Sequence, residues 1–209
     1  MIRITRGYSL GNPSDAAMFE DRKRLFVDLM RWDVPVVDGR FEIDQFDGAD
    51  ATYIVAHGAE ARKVAGLHHG SMRLLPTTAP HILGDLFPEL AEGAVPRGDD
   101  VAEITRLCLP TRLGASERTS VRNRLISAMV DHALENGIRV LTGVVRPAFC
   151  ETVLVLGWRA AALGPVQIIG GQSLAAFRVE IDTETPELLD ATGIYVEGLL
   201  AEARRAAAA

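Results

Sequence analysis

A chain of 209 residues with 48% hydrophobic and 24% charged residues has the size and composition of a single globular domain, which excludes a wholly disordered chain and a coiled coil. A chain this long can bury roughly 70% of its unfolded surface, so no metal or disulfide is needed to hold it together. Basic residues number 22 against 28 acidic ones, a net charge of −6, which argues against nucleic acid as a partner.

The opening segment, Met1-Ile2-Arg3-Ile4-Thr5-Arg6-Gly7, has no apolar stretch of the kind a secretory leader carries. Ser14 to Trp32 reads as a helix: Met18, Arg22, Leu25, Phe26, Leu29 and Met30 recur at helical spacing, Ser14 can cap the start, and Asp33 and Pro35 end it. A polar loop over Asp38–Asp50 leads to a strand, Thr52–Ala56, then to a hairpin turn near Gly58 and a second strand over Lys63–Leu75. Pro76-Thr77-Thr78-Ala79-Pro80 stops that strand, and a short helix, His81–Leu86, follows. Gly93–Gly98 reads as a surface loop. Ala102–Leu109 reads as a strand closed by Pro110.

Thr119–Glu135 has the strongest helical pattern, with Val121, Leu125, Ala128, Met129, His132 and Ala133 on one face and Asn136-Gly137 as its C-terminal stop. Ile138–Val145 reads as a strand, Phe149–Leu156 as a helix ended by Gly157, and Trp158–Leu163 and Ala175–Ile181 as strands before a terminal helix. The longest apolar run, Val153–Leu156, is far below the roughly 18 residues of a membrane span. Strands and helices alternate in the second half after a meander in the first, which predicts an α/β (α+β) fold on one central sheet. Residues 1–209 form one domain in this reading, with a frayed tail over 203–209.

Charge placement is the sharpest local signal. Glu42-Ile43-Asp44-Gln45-Phe46-Asp47 sets three carboxylates within six residues, and Ile43 and Phe46 between them imply that the loop is partly packed. Left alone, such a triplet is more often a solvated loop. Arg73 and the Glu103/Arg106 pair, however, sit on strands whose neighbours look buried, and charges on core strands need partners. Glu103 and Thr105 share one strand face, with Arg106 on the other unless a bulge intervenes. His68 and His69 are adjacent and face opposite ways on a strand, a poor metal pair, and no metal site is expected. Cys108 and Cys150 lie far apart with no CxxC pair, as in a reduced intracellular protein. Cys108 has no histidine at a recognisable spacing and reads as a small buried hydrophobe.

Taken together, these residues resemble the acyl-homoserine lactone synthases (autoinducer synthases), a branch of the GNAT-like acyltransferase folds. The likeness begins with Arg22, Phe26 and Trp32, spaced by four and then six. It runs through Glu42–Asp47, Gly70-Ser71-Met72-Arg73-Leu74-Leu75-Pro76-Thr77-Thr78 and Phe87-Pro88, and ends at Glu103-Ile104-Thr105-Arg106, with weaker agreement at Gly157-Trp158. The family's usual Ser-Arg-Phe is Thr105-Arg106-Leu107 here. Some 3-oxo-acyl producers carry a threonine on the strand before Arg146. An ungapped count back from Gly157 places Gly143 there, with Thr142 its neighbour.

The resemblance implies a central mixed sheet flanked by helices and a quorum-sensing enzyme. In that reaction the amine of S-adenosylmethionine attacks an acyl thioester, and the methionine carboxylate then closes a lactone, expelling methylthioadenosine. S-adenosylmethionine is a substrate, and no cofactor is expected. It implies catalytic roles for Glu103 (the amine's base), Arg106 and Asp47, and substrate binding by Arg22, Phe26, Trp32, Asp44 and Arg73, with residues 1–50 forming the S-adenosylmethionine side. Met72, Leu107, Thr142, Gly143, Val144 and Phe149 are the acyl-pocket candidates. The donor is acyl carrier protein or acyl-CoA, met by basic residues Arg118, Arg122, Arg124 and Arg139. No membrane partner is expected, the location is cytoplasmic, and the oligomeric state stays open. The alternatives are a GNAT-type N-acyltransferase acting on another amine, whose usual pyrophosphate-loop spacing Arg112-Leu113-Gly114-Ala115 lacks, and a non-catalytic relative that binds acyl ligands.

Overall fold

The structure, a computed structural model, describes residues 1–58 and 68–207. The chain opens with strand β1 (Ile2–Arg6), absent from the sequence reading, which pairs antiparallel with β4 (Thr52–His57), Ile2 opposite Ala56 and Arg6 opposite Thr52. Helix α1 (Pro13–Arg22) is capped by Asn12 rather than Ser14: the Asn12 side chain accepts the Ser14 N–H at 2.9 Å, and Pro13 fills the first helical position, where no N–H is required. The expected long helix then widens into a π-helical segment, Lys23–Leu29, and stops at Arg31, whose φ of +58° is left-handed. Between helix and β4, a small antiparallel ribbon pairs β2 (Val36–Val37), just before the loop read as polar, with β3 (Phe41–Glu42) inside it.

Next come β5 (His68–Pro76), α2 (Ile82–Leu86), a 3₁₀ turn at Pro88–Leu90, β6 (Val101–Cys108), α3 (Ala115–Glu135), β7 (Val140–Val145) and α4 (Pro147–Leu154). Strands β8 (Arg159–Ala162), β9 (Gln167–Ile169) and β10 (Gln172–Glu180) and helices α5 (Thr185–Asp190) and α6 (Leu199–Ala207) complete the chain. The hairpin expected after Gly58 and the start of the second strand, 63–67, lie outside the described residues. Helix α4 starts two residues earlier than its apolar spacing implied, because extended Arg146 delivers Pro147 to the first turn. Residues 203–207, read as tail, continue α6, as their alanines and arginines favour.

Among the described residues, eight strands join one mixed sheet in the order β1-β4-β5-β6-β7-β10-β8, with β9 on β10. The chain divides into two compact units. The first comprises Met1–Arg73, Arg106–Ala128 and Val196–Ala209; the second comprises Leu74–Thr105 and Met129–Tyr195. In the first, Phe19, Tyr53 and Tyr8 meet edge to face beneath β1 and β4.

In the second, Leu83, Leu90 and Ala176 are fully buried, with Phe87, Val144 and Leu163 packed against them. Antiparallel β7–β10 pairing sets Gly143 opposite Phe177, and the Trp158 indole donates to the Val153 carbonyl at 2.9 Å. The parallel β6–β7 ladder runs Val101–Val140, Ala102–Leu141, Glu103–Thr142 and ends there, although both strands continue. No helix of the described residues is long and apolar enough to cross a membrane. Leu83→Ala, which empties a fully buried position in the second unit, is expected to cost about 2–5 kcal/mol, read as a lower urea midpoint with an unchanged slope.

Candidate active site

Six ionic side chains of the first unit close into a ring of alternating charge. Arg22 donates through Nε to Glu42 at 2.6 Å and forks onto both oxygens of Asp47 at 2.9 and 2.8 Å. Asp47 also takes Arg73 at 2.8 Å, and Arg73 forks onto Asp44 at 2.6 and 3.1 Å. Asp44 in turn takes Arg106 at 2.5 Å, and Arg106 returns to Glu42 at 3.0 Å. Three cations thus alternate with three anions, and each ion touches two of opposite sign. The 42–47 segment holds its acids by its own turn. The Asp44 side chain accepts the Phe46 N–H at 2.9 Å, the Asp47 side chain accepts the Asp44 N–H at 2.9 Å, and the Tyr53 hydroxyl donates to Asp47 at 2.8 Å.

Removing six charges from water would be prohibitive singly, and the ring's double pairing offsets that cost. Burial opposes ionisation of Asp47, yet the Arg22 guanidinium, then Arg73, outweighs it and holds the carboxyl well below the usual carboxylate range. Burial likewise works against the charge of Arg22 and of Arg73, and their carboxylates push both above the ordinary arginine value. The Tyr53 hydroxyl is driven up by burial and by the adjacent Asp47 anion, so it stays a neutral donor.

One edge of the ring differs from the rest. Arg22, Glu42, Asp47 and Arg73 side chains are at most 1% exposed, whereas Arg106 retains 8% and Asp44 4%. Above this edge Phe26 and Trp32 stack, with ring centroids 4.7 Å apart at 13°. The Arg106 guanidinium carbon lies 5.7 and 5.6 Å from the two centroids, within reach of both π-faces. The π-helical segment supports the stack, since the Trp32 N–H reaches the Phe26 carbonyl at 2.9 Å. Arg106 itself has φ +52° inside β6, so strand alternation breaks there, the bulge the sequence left open. Such a non-glycine conformation costs about 1–3 kcal/mol and persists where its surroundings over-determine it.

Glu103 belongs to the second unit and has a separate task there: Oε2 accepts the Ile82 N–H at 2.6 Å and Oε1 the Leu83 N–H at 2.7 Å. It stands on the last rung of the β6–β7 ladder, opposite Thr142, whose buried hydroxyl has no hydrogen-bond partner among the described residues. Of the expected site residues, Arg22, Phe26, Trp32, Asp44, Asp47, Arg73 and Arg106 come together in the first unit. Asp47, expected among the catalytic groups, has no exposed side-chain surface and pairs with Arg22 and Arg73. Glu42 and Tyr53 complete the network. The first lay within the acidic triplet, while the second carried no signal beyond its strand pattern.

Among the acyl-pocket candidates, Met72 is buried and Leu107 half-buried in the first unit, and Thr142 and Gly143 are buried in the second. Val144 packs on the Leu83 cluster. Phe149 is corrected: it stands exposed on α4, whose buried face is taken by Cys150 and Val153. His68 and His69 do diverge. His68 Nδ1 lies 2.7 Å from Asp21, and His69 Nδ1 lies 3.4 Å from Glu117. Burial lowers the His68 pKa, and it pushes the Cys108 thiol far up, leaving an unreactive neutral group. Among the described residues no group of three or more His, Cys, Asp or Glu side chains is arranged to hold a metal.

Comparison with known proteins gives one answer. The family described as "Autoinducer synthase" matches residues 9–189. An acyl-homoserine-lactone synthase of Ralstonia nicotianae is 35% identical over 200 residues, 92% of this chain and 95% of that protein. TofI, solved in a ternary complex with an inhibitor and MTA, is 28% identical with a TM-score of 0.74, over 91% of this chain and 96% of that one. BjaI, a CoA-dependent acyl-homoserine lactone synthase solved with SAM and isopentyl-CoA, shares the fold at a TM-score of 0.79 and 22% identity, over 98% of both chains.

Asp47→Asn is expected to lower stability at pH 7 by about 3–5 kcal/mol, because it leaves buried arginines short of a counter-charge. The native Asp47 carboxyl lies below its unfolded value of about 3.9, so its contribution is complete above that value and lost as pH falls through the native one. The variant therefore loses less stability than the parent on acidification below about pH 4, which urea titrations at neutral and acid pH will read.

Proposed function

The chain belongs to the autoinducer synthase family, and on that footing we propose that it makes an acyl-homoserine lactone from S-adenosylmethionine and an acyl thioester. The observation that carries this reading is the ionic ring with one less deeply buried edge, Arg106–Asp44, beside two stacked aromatic rings. S-adenosylmethionine combines a sulfonium, an ammonium, a carboxylate and an adenine, and the Arg106–Asp44 edge offers a charge of each sign beside flat π-faces. Asp44 attracts the ammonium, Arg106 the carboxylate, and Phe26 and Trp32 pack the adenine and face the sulfonium. Arg22, Glu42, Asp47 and Arg73 lie behind that edge and fix its geometry.

The chemistry has two steps. The neutral α-amine attacks the thioester carbonyl, a tetrahedral oxyanion forms, and its collapse expels the thiol and leaves an amide. The methionine carboxylate then attacks its own γ-carbon, the C–S bond breaks, and methylthioadenosine departs with the bonding pair. Both bonds form at the expense of already activated donors, so no cofactor takes part. Glu103 takes the proton that the amine must lose, directly or through a water, with its carboxylate oriented by the Ile82 and Leu83 N–H groups. Backbone N–H groups where β6 kinks at Arg106 are the candidates for oxyanion stabilisation.

The β6–β7 ladder ends at Glu103–Thr142 although both strands continue, and we place the pantetheine arm of an acyl carrier protein or of CoA beside that end. TofI with MTA and BjaI with SAM and isopentyl-CoA support this pairing of substrates. Arg118, Arg122 and Arg124 on α3, together with exposed Arg139, are the basic residues for an acidic carrier or for CoA phosphates. We place the reaction in the cytoplasm, where the two buried cysteines stay free thiols.

Thiol release is expected only when S-adenosylmethionine and an acyl thioester are both supplied; turnover with unrelated amines, or none with any acyl donor, would overturn the reading. Glu103→Gln is expected to lower turnover by about 10²–10⁴. Circular dichroism and the melting temperature of that variant check that the fold survives, and near-parental turnover by a folded variant would remove Glu103 from the proton-transfer role.

A further inference from the structure

The Glu103 carboxylate accepts two consecutive backbone N–H groups, and the residue directly before them is His81, whose side chain is fully buried. The His81 backbone is extended, with φ −148° and ψ 162°. Its N–H donates to the Asp85 carboxylate at 2.6 Å, which closes the first turn of α2. The imidazole has an attachment of its own. Nδ1 lies 2.9 Å from the Ala79 carbonyl oxygen, and because a carbonyl only accepts, Nδ1 carries the hydrogen. Arg97 Nη2 approaches the same nitrogen at 3.5 Å, beyond the usual range of such bonds. Nε2 is left as a bare acceptor, buried and without a hydrogen-bond partner among the described residues. The outer edge of the ring rests on Gly84: a Cβ built there would lie 2.6 Å from both Cε1 and Nε2, closer than real Cβ atoms come. Glycine inside a helix weakens it, and Gly84 has no left-handed φ to require it, so the ring is what needs the space. The imidazole thus spans from the strand exit at Ala79 to the helix at Gly84.

Resting on the reading of Glu103 as the base for the amine, we propose that His81 is a positioning residue that holds the first turn of α2 so that the Ile82 and Leu83 N–H groups meet the Glu103 carboxylate. Both N–H groups follow residue 81 directly, so a twist at that residue turns them away from β6 together. Asp85 fixes the backbone of His81, and the imidazole ties the turn back to Ala79. Glu103 itself is held by its strand, on the rung opposite Thr142, so the grip depends on how α2 is presented to it. Hydrogen bonds to a carboxylate are strong only when aligned, and they favour the anion over the acid. Releasing the ring weakens those donors and moves the carboxylate oxygens from the place where they take the proton. His81 touches no reacting atom in this scheme. Leucine at 81 fills space but offers Ala79 no donor. Asparagine sets an N–H where Nδ1–H stands and lacks the outer ring edge that Gly84 accommodates.

The test uses the full-length protein with isotope-labelled glutamate carboxyl carbons read by NMR, the Glu103 signal being identified by its loss in Glu103→Gln. Its titration midpoint is expected to rise in His81→Leu, because the anion loses N–H donors, and to return toward the parent in His81→Asn. Gly84→Ala, which drives the ring out of place, is expected to raise it too. Combined with His81→Asn, the same Gly84→Ala change is expected to leave the midpoint near the parent, a coupling that independent sites would not show. In turnover with S-adenosylmethionine and an acyl-pantetheine, His81→Leu is expected to lower kcat about 10- to 100-fold with little change in KM for S-adenosylmethionine. An unmoved midpoint in folded His81→Leu overturns the proposal, and so does a parental kcat. Should circular dichroism show that His81→Leu does not fold, Gly84→Ala and the double variant decide in its place, an unmoved midpoint in Gly84→Ala again overturning the proposal. If the parent makes no lactone, the wider reading fails, while the carboxyl titration still decides whether His81 holds Glu103.

Discussion

Six charges withdrawn from water must be paired, and that requirement organises the first unit. The ring Glu42–Arg22–Asp47–Arg73–Asp44–Arg106 has no end, so every carboxylate meets two guanidiniums and every guanidinium two carboxylates. An open chain of the same ions would leave its terminal members half-compensated in a low dielectric, the arrangement most costly to bury. Closure needs contributions from α1, the 42–47 turn, β5 and β6 at once, which ties the local conformation of each to the others. The left-handed φ of Arg106 is understandable in that light: a strand residue in regular geometry would send its guanidinium off in alternation, and the two ring contacts outweigh the backbone cost.

The same closure decides which members can meet a ligand. Arginines fully engaged with carboxylates have few donors left, so in the proposed reaction Arg22 and Arg73 serve only to hold Asp44 and Arg106 still. The Arg106–Asp44 edge is thereby held by the ring itself, with the aromatic stack beside it supported by the widened helical turn. A site of this kind has its fields set in advance, and a doubly charged ligand need not reorganise it on binding. The Asp21–His68–Arg112 cluster nearby has the same logic with one histidine in place of a cation: burial resists the Asp21 charge, and hydrogen bonds from His68 and then Arg112 outweigh it.

Much of this was legible from charge placement. Acids interleaved with Ile43 and Phe46, and lone arginines on apolar strands, require partners, and the simplest partners are each other. Ring closure was not legible, because it depends on a backbone kink at Arg106 that no residue type announces. Asp47 illustrates the difference: the pattern marks it as important, but its complete burial between two arginines shows only in the structure. The alternation of elements in the second half was readable from periodicity. β1 and β9 were not, being short strands whose pairing comes from distant segments, and Phe149 was misplaced because an apolar residue on a short helix carries no sign of which face is covered.

The second unit contrasts with the first in how much change it can absorb. Altering any ion of the ring strands its two neighbours, so its members act as a unit and their substitutions cannot be additive. The Gly143–Phe177 pair is a contact between apolar surfaces, where lost volume reappears as space and leaves no unpaired charge behind.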